Sequence, residues 1–293
     1  MDIIQEVFDL SKKILDTKPF HVTINNEGIE KLSKQMKIDG IPNFYDSEPE
    51  QKYKTGITLE ILKELIASSI NYCYWYGSHD IRPNNVSSAS MYDHVNEVFD
   101  PAINQALNFE WRINKLIDIL SINRYPMLEE RKRHLYDLCE NRKAESFCGQ
   151  VQVHHVSGST MLFEELVKQF HGFASDQFLK RASLFFIQLY RKFGWFKDTL
   201  MTHLFVPADY QVPKILRFYD CIRYSNELSH KIFDSKLIEK NSLEELQIRA
   251  ATINVCTTLQ YSVGWTIADV DTYLWTKRKL SDQPFHLTYT TDY

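Results

Sequence analysis

The segment 58–75 of the chain reads TLEILKELIASSINYCYW and gives the first structural prediction. Its aliphatic residues recur at helical spacing, which is typical of a helix that buries one face. These residues are Leu59, Leu62, Ile66 and Ile70. The helix is predicted to end in an aromatic group, which consists of Tyr72, Tyr74 and Trp75.

Outward from this segment, the composition favours helices along most of the chain. Only 9 glycines and 9 prolines occur in 293 residues, which leaves few turns for a sandwich, a propeller or a glycine-rich parallel sheet. Ser242 and Glu245 form a capping-box pattern that predicts a helix start at Leu243. Further helices are predicted at residues 29–36, 111–122, 126–140, 160–170, 177–193, 213–224 and 228–234. The expected fold class is mostly α, with at most a small β element.

Two segments are candidates for that β element. Val22–Ile24 is typical of a short strand or turn, and residues 149–156, GQVQVHHV, alternate with the period of two that favours a strand. The chain contains no linker, internal repeat or low-complexity stretch. We therefore expect a single domain over residues 1–293, with 1–150 and 151–293 as possible subdomains packed together.

Charge and apolar patterning exclude several classes of function. The 34 Lys and Arg residues face 38 Asp and Glu residues, so the net charge of −4 provides no general field for a nucleic-acid backbone. A local pocket for one phosphate remains compatible with this balance. Residues 1–13 are acidic and amphipathic, unlike a signal peptide, and no apolar run approaches a membrane span. A cytoplasmic protein without a membrane or a stable nucleic-acid partner is expected.

Metal and cofactor motifs are missing from the sequence. The adjacent pair His154 and His155 cannot point two ligands at one ion, and no H-E-x-x-H pattern occurs. The five cysteines are scattered without a C-x-x-C pair, which indicates reduced thiols. No phosphate-binding P-loop, dinucleotide-binding glycine motif or serine-hydrolase motif is present. We therefore predict neither a metal nor an organic cofactor.

Two charged segments in the second half stand out. Lys180 and Arg181 border the apolar stretch SLFFIQLY, where cations are expected to snorkel or to be paired. Asp209 lies between Pro207 and Pro213 in a mostly apolar stretch. One alternative makes Asp209 the cap of a helix containing Pro213. That alternative fits poorly if Pro213 is the fourth helical residue and deletes the first helical hydrogen bond, so a functional role stays open beside it.

Several motifs in one order resemble the queuosine salvage proteins, the queuosine 5′-phosphate N-glycosylase/hydrolase family. In the second half they are KRASLFFIQLY (180–190), LFVPADYQVPKIL (204–216), RYSNEL (223–228), ELQIRAATI (245–253), DTYLW (271–275) and PFHLTYTTDY (284–293). In the first half they are INYCYW (70–75) and YPMLEER (125–131). The similarity spans the chain from Val22 to Tyr293.

The chain departs from the family pattern at three places. Gln247 stands where the family has the second Glu of Glu-Val-Glu-Ile-Arg, and Leu287-Thr288-Tyr289 replaces a final Arg-Thr-Arg. Residues 88–99, SASMYDHVNEVF, replace a Gly-Tyr-Trp-x-Leu segment. These departures leave open a change in base or phosphate specificity.

The resemblance implies a monomeric hydrolase that cleaves the N-glycosidic bond of queuosine 5′-monophosphate and releases queuine for tRNA modification. It also implies a fold distantly similar to that of 8-oxoguanine DNA glycosylases. Asp209 matches the catalytic aspartate, which would stabilise the oxocarbenium-like charge and orient water. Lys180 is implied to lie opposite it and to contact the sugar or the 5′-phosphate. Arg181 either shares the phosphate or braces a helix.

The leaving group adds a further requirement. A 7-deazapurine has carbon at ring position 7, so the enzyme cannot protonate it there and must hold the base by other edges and by its faces. Asn71, Tyr72, Tyr74 and Trp75 are candidates for this role, although core packing is the alternative for Tyr72. Tyr210, Tyr224 and Ser225 lie in matching motifs and are candidate pocket residues. The alternative functions are a glycosylase for another modified nucleotide or DNA base, and a nucleobase-binding protein that has lost activity.

Overall fold

The computed structural model describes residues 2–42, 56–77, 83–100, 108–157 and 159–293. The chain divides into two compact units, and each draws on separated parts of the sequence. Unit 1 contains Met1–Tyr45, Gly77–Asp80 and Lys197–Tyr289, whereas unit 2 contains Asp46–Tyr76, Ile81–Phe196 and Thr290–Tyr293. The bounds of these units differ from those of the possible subdomains 1–150 and 151–293. The single domain over the whole chain stays a prediction.

The described chain is mostly α, which confirms the expected fold class. Unit 1 begins with α1 (Ile3–Leu15), β1 (Val22–Ile24) and α2 (Asn26–Asp39). Unit 2 contains α3 (Ile57–Ser69), α4 (Ser88–Val98), α5 (Phe109–Ile122), α6 (Leu128–Cys139), α7 (Lys143–His154), α8 (Ser159–Gln169), α9 (His171–Ala174) and α10 (Lys180–Phe193). Unit 1 resumes with α11 (Gln211–Phe218), β2 (Ile222–Tyr224), α12 (Asn226–Phe233), α13 (Leu243–Val263) and α14 (Ile267–Thr276). The expected similarity to DNA glycosylases stays a prediction.

Helix α13 forms the centre of unit 1. It packs against α1, α2, α11, α14 and β1, and its middle turns are buried on nearly every side. The helix starts at Leu243 as predicted, because Ser242 Oγ accepts a hydrogen bond from Glu245 N at 3.3 Å. The Glu245 carboxylate accepts from Asn241 N instead of completing a capping box. A left-handed glycine, Gly264, ends the helix.

Helix α3 has the same central place in unit 2. It packs against α4, α6, α7 and α10, and every residue from Ile61 to Ser69 is buried. The predicted helix therefore exists, but it ends at Ser69, and the aromatic group follows in a segment without regular secondary structure. None of the helices in the described ranges is both long and apolar enough to cross a membrane.

The strand predicted at 149–156 is wrong, because these residues belong to α7 and the turn after it. The buried residues of α7 are Ala144, Phe147, Cys148 and Val151, which is helical spacing. This buried stripe begins at Ala144, before the alternating segment 149–156. Val153 within that segment is 71% exposed. The small β element is instead β1 paired antiparallel with β2, with Val22 opposite Tyr224. The helix predicted over 213–224 accordingly ends at Phe218.

Gly28 in α2 allows a close backbone approach within unit 1. A Cβ atom at this position would overlap the Asp220 carbonyl and would lie 2.9 Å from Cys221 N. We expect Gly28→Ala to lower the free energy of unfolding by about 1–3 kcal/mol, because backbone atoms must move. Gly149→Ala in α7 is the control, since nothing lies within 4 Å of its Cβ position. It should raise stability by about 0.5–1 kcal/mol. Urea denaturation measures both, and equal stability of the two variants would contradict the prediction.

Gln247 is a buried anchor for the segment between α1 and β1. Its Oε1 accepts from His21 N at 2.7 Å and Val22 N at 3.3 Å, and its Nε2 donates to Thr17 O at 2.7 Å and Pro19 O at 3.1 Å. Only an amide can accept and donate in this pattern. Gln247, which stands in place of the family's Glu, is therefore explained by the hydrogen bonds that its amide makes in this chain.

Replacing this amide by the family's carboxylate tests that account. An ionised carboxylate at this position would face two carbonyl oxygens without a proton to donate, so we expect Gln247→Glu to destabilise the protein by about 1–3 kcal/mol at pH 7. Thermal unfolding at several pH values is the measurement, and the loss should shrink as the pH falls and the carboxyl group protonates. A variant as stable as the wild type at pH 7 would show that the amide is dispensable.

Candidate active site

Asp209 lies at the start of α11 in unit 1. Its Oδ1 accepts hydrogen bonds from Gln211 N at 2.7 Å and Val212 N at 3.1 Å, so the carboxylate caps the helix from the residue before the N-cap, Tyr210. Pro213 is the third residue of α11, where a backbone N–H has no helical acceptor anyway. The objection that Pro213 would delete a hydrogen bond is therefore wrong. Asp209 is half-buried, and its Oδ2 makes no hydrogen bond to the described residues.

The backbone just before Asp209 is held by a buried arginine. Arg249 of α13 is fully buried, and its Nε donates to Ala208 O at 3.1 Å. Its Nη1 lies 3.4 Å from Glu245 Oε1, one turn earlier on the same helix. A buried ion pair is costly to break, because the remaining charge would have no partner. The orientation of Asp209 therefore depends on both its own capping bonds and this guanidinium.

The other predicted residues of unit 1 have clear local contacts. The Tyr210 ring centre lies 4.7 Å from that of Phe285. Tyr224 packs under the Arg217 guanidinium at 4.4 Å, and burial raises the pKa of its hydroxyl. Ser225 caps α12, because its Oγ accepts from Leu228 N at 3.2 Å. A role for these three residues in lining a pocket stays a prediction.

Lys180 in unit 2 is placed by its neighbours before α10. Asp176 accepts from Phe178 N at 3.0 Å and from Lys180 N at 2.8 Å, which fixes the start of the helix. The Lys180 ammonium donates to Asn71 O at 3.1 Å, and the residue is only 4% exposed. The structure thus places the Lys180 ammonium at the segment 71–75, which is predicted to bind the base. Lys180 and Asp209 belong to different units.

Arg181 is buried in a network at the end of α3. Its guanidinium donates to Ser69 O, donates to Ser175 Oγ at 3.1 Å and lies 3.2 Å from His134 Nδ1. Burial lowers the pKa of this guanidinium. These contacts are those of a residue that braces a helix, whereas its contact with a phosphate stays a prediction.

The aromatic segment 71–75 is buried in the free protein. Tyr72, Tyr74 and Trp75 are each at most 1% exposed, which is what the core-packing alternative predicts. The Tyr74 hydroxyl donates to Asn71 Oδ1 at 2.9 Å, and Asn71 Nδ2 donates to Ser88 Oγ at 3.1 Å. Asn71 thereby uses its side-chain amide within unit 2. The proposed contacts of these four residues with a base stay predictions.

A second buried arginine holds the same segment. Arg131 of α6 donates to the carbonyls of Ile70, Tyr72 and Cys73, the last at 2.7 Å. Its guanidinium carbon also lies 4.3 Å from the Tyr72 ring centre, a cation–π distance. The backbone after α3 is therefore fixed although it has no regular secondary structure.

Sequence reasoning did not single out Arg131, Arg249 or His134, which contact residues in or next to the predicted site. Both arginines occur in the motifs YPMLEER and ELQIRAATI, but a charged residue within a helical pattern is usually solvated. Only their burial and their carbonyl partners reveal the role. Within the ranges that the structure describes, no group of three or more His, Cys, Asp and Glu side chains could hold a metal ion.

Comparison with known proteins identifies similar chains. A family model described as "Queuosine salvage protein" matches residues 64–293. A protein of Dictyostelium discoideum is 25% identical over 272 aligned residues, which cover 80% of each chain. A Schizosaccharomyces pombe protein is 26% identical over 157 residues (48% of this chain, 44% of the relative), and a Bos taurus protein is 27% identical over 144 residues (44% and 41%). All three are named queuosine 5′-phosphate N-glycosylase/hydrolase.

The half-buried His134 and the buried His286 predict acid sensitivity. Burial, with the charges of nearby arginines, lowers the pKa of His134 and of His286 from 6.5 to about 3. Between these values the unfolded chain binds protons that the folded protein does not. The free energy of unfolding should therefore fall as the pH falls below 6.5, by up to about 1.4 kcal/mol per pH unit for each histidine.

Chemical denaturation between pH 5 and pH 7 measures this slope, above the range in which most carboxylates titrate. His134→Gln and His286→Gln should each reduce the slope by up to one proton. A stability that does not change between pH 5 and pH 6.5 would contradict the prediction.

Proposed function

The chain belongs to the queuosine salvage protein family, and we propose that it hydrolyses the N-glycosidic bond of queuosine 5′-phosphate and releases queuine. The proposal rests mainly on the position and the hydrogen bonds of the Asp209 carboxylate. This carboxylate occupies the family's aspartate motif, is fixed through Oδ1 and keeps Oδ2 for a substrate or a water molecule. The matched motifs and the similar relatives support the same reaction.

The geometry of Asp209 suits the chemistry of that bond. When the bond between C1′ and the ring nitrogen breaks, its electron pair leaves with the base and positive charge grows on the ribose. A carboxylate beside the ribose stabilises this charge and orients the water whose oxygen adds to C1′. One proton of that water passes, directly or through Asp209, to the ring nitrogen of the departing base, so that the base leaves neutral and Asp209 is ionised again. The two hydrogen bonds to Oδ1 hold the carboxylate in one orientation, so it needs no reorientation during the reaction.

The remaining assignments complete the proposal. Lys180 contacts the sugar or the phosphate, and Asn71 with the aromatic residues 72, 74 and 75 holds the base, as the family resemblance implies. Tyr210, Tyr224 and Ser225 line the substrate pocket. We further propose a monomeric cytoplasmic enzyme that needs no metal or organic cofactor, in keeping with its acidic balance and scattered cysteines.

Asp209→Asn separates catalysis from helix capping. The amide oxygen of Asn can accept the same two N–H bonds, so the fold and the thermal stability should be kept. The neutral amide cannot stabilise the ribosyl cation, and we expect kcat to fall by about 10²–10⁴-fold. Release of free queuine from queuosine 5′-phosphate, followed chromatographically, measures the loss.

Asp209→Ala is the matched control, since it removes the cap as well and should lower stability by about 1 kcal/mol. Normal turnover of Asp209→Asn would refute the role of Asp209. If the wild type releases no queuine but is stabilised by it, a binding protein replaces the enzyme. Tight binding to duplex DNA with a steep salt dependence would instead favour a DNA-base glycosylase.

A further inference from the structure

A cavity of about 730 Å³ lies within unit 1, at the end of α11 opposite to the end that Asp209 caps. Three segments form its walls: the last two residues of α11, one side of α12, and the chain from Leu280 to Pro284. Cavities of this size are typical of the sites at which proteins bind small molecules. The residues of the walls therefore indicate which kind of molecule would fit.

The apolar part of the cavity wall is exposed to water. Phe233 of α12 is 76% exposed, and Phe218 of α11 and Leu280 are also exposed. Large apolar side chains that are exposed together around one cavity are typical of a binding surface. Because the two phenyl rings come from different helices, they can contact one ligand from two walls. The ligand is therefore expected to have an apolar body.

Arg217 brings a permanent positive charge to the same cavity. Its guanidinium carbon lies 4.4 Å from the centre of the Tyr224 ring, a cation–π contact that uses the face of the guanidinium. The side chain is half-buried, and its guanidinium makes no hydrogen bond or ion pair with any residue that the structure describes. The group is thus oriented, and its N–H edge can donate in parallel to the two oxygens of an oxyanion.

An acidic residue of the wall limits the charge of that oxyanion. Asp282 lines the cavity together with Arg217, and the two side chains form no ion pair with each other. The Asp282 carboxylate repels a phosphate monoester, whose charge is near −2, more strongly than it repels a monoanion. This wall is also held in place, because the buried Ser281 accepts from Gln283 N through Oγ at 3.3 Å.

We propose that this cavity binds an organic monoanion with an apolar body, of the class of aromatic carboxylates. The anionic group pairs with the Arg217 guanidinium, and the body packs against Phe218 and Phe233. Arg217 follows Asp209 by eight residues, about 12 Å along α11, so this site is distinct from the Asp209 carboxylate. The inference goes beyond the proposed function and does not require it.

Two dyes with the same rings test the site in the full chain. The dye 8-anilinonaphthalene-1-sulfonate is a monoanion, whereas N-phenyl-1-naphthylamine is its neutral counterpart. Fluorescence titration with calorimetry should give one site for the sulfonate per chain. Arg217→Gln should weaken binding of the sulfonate by about 10-fold and leave the neutral dye unchanged. Phe233→Ser should weaken both dyes by about 5–10-fold, and the exposure of Phe233 keeps this change outside the core.

Arg223→Gln is the matched control, since the exposed Arg223 pairs with Asp220 at 2.7 Å. It should bind both dyes as the wild type does, and so should Asp209→Asn, which makes the test independent of turnover. Equal binding of the sulfonate by the wild type and Arg217→Gln, or several weak sites per chain, would overturn the proposal.

Competition with the bound sulfonate dye tests the charge and the separateness of the site. We expect 1-naphthoate to displace the dye at a lower concentration than 1-naphthyl phosphate, and Asp282→Asn to reduce this difference. Stronger displacement by the phosphate would refute the preference for a monoanion. Displacement by ribose 5-phosphate would assign the cavity to the substrate and overturn a separate site.

Discussion

A guanidinium buried away from water costs free energy unless protein oxygens accept from it, and two such arginines fix irregular segments, one in each unit. In unit 1, Arg249 donates to the Ala208 carbonyl and the Glu245 carboxylate. In unit 2, Arg131 donates to three carbonyls of the segment 70–73. An unbonded buried donor costs free energy, so each arginine ties an irregular segment to a helix. Both segments lie in motifs that the family resemblance rests on.

The same logic explains how Asp209 can be structural and functional at once. Two backbone N–H groups of α11 need an acceptor at the helix start, and Oδ1 provides it. The cap uses one oxygen only, and the carboxylate cannot rotate without breaking it. Helix capping through Oδ1 is therefore compatible with the catalytic role proposed for Asp209, and the sequence did not have to decide between the two. The apolar, proline-flanked surroundings of Asp209 keep this start of α11 in place.

The sequence was informative where the signal is local. Periodicity predicted α3, and the Ser242 pattern predicted the start of α13, because both depend on neighbouring residues alone. It failed at 149–156, where a two-residue alternation overlapped a longer helical stripe. It also missed Arg249, because its carbonyl partner lies 41 residues away in the chain. Burial and long-range bonding determine such roles, and neither can be read from spacing.

The departures from the family motifs follow from this chain's own contacts. Gln247 bonds to the segment after α1, and Leu287 is 3% exposed, with its carbonyl accepting from Ile238 N at 2.8 Å. Neither position therefore requires a new substrate to explain it. Replacing the family's final Arg-Thr-Arg does, however, remove two positive charges from the C-terminal motif. The side chains that stand at these two positions, Leu287 and Tyr289, therefore cannot offer positive charge to a phosphate.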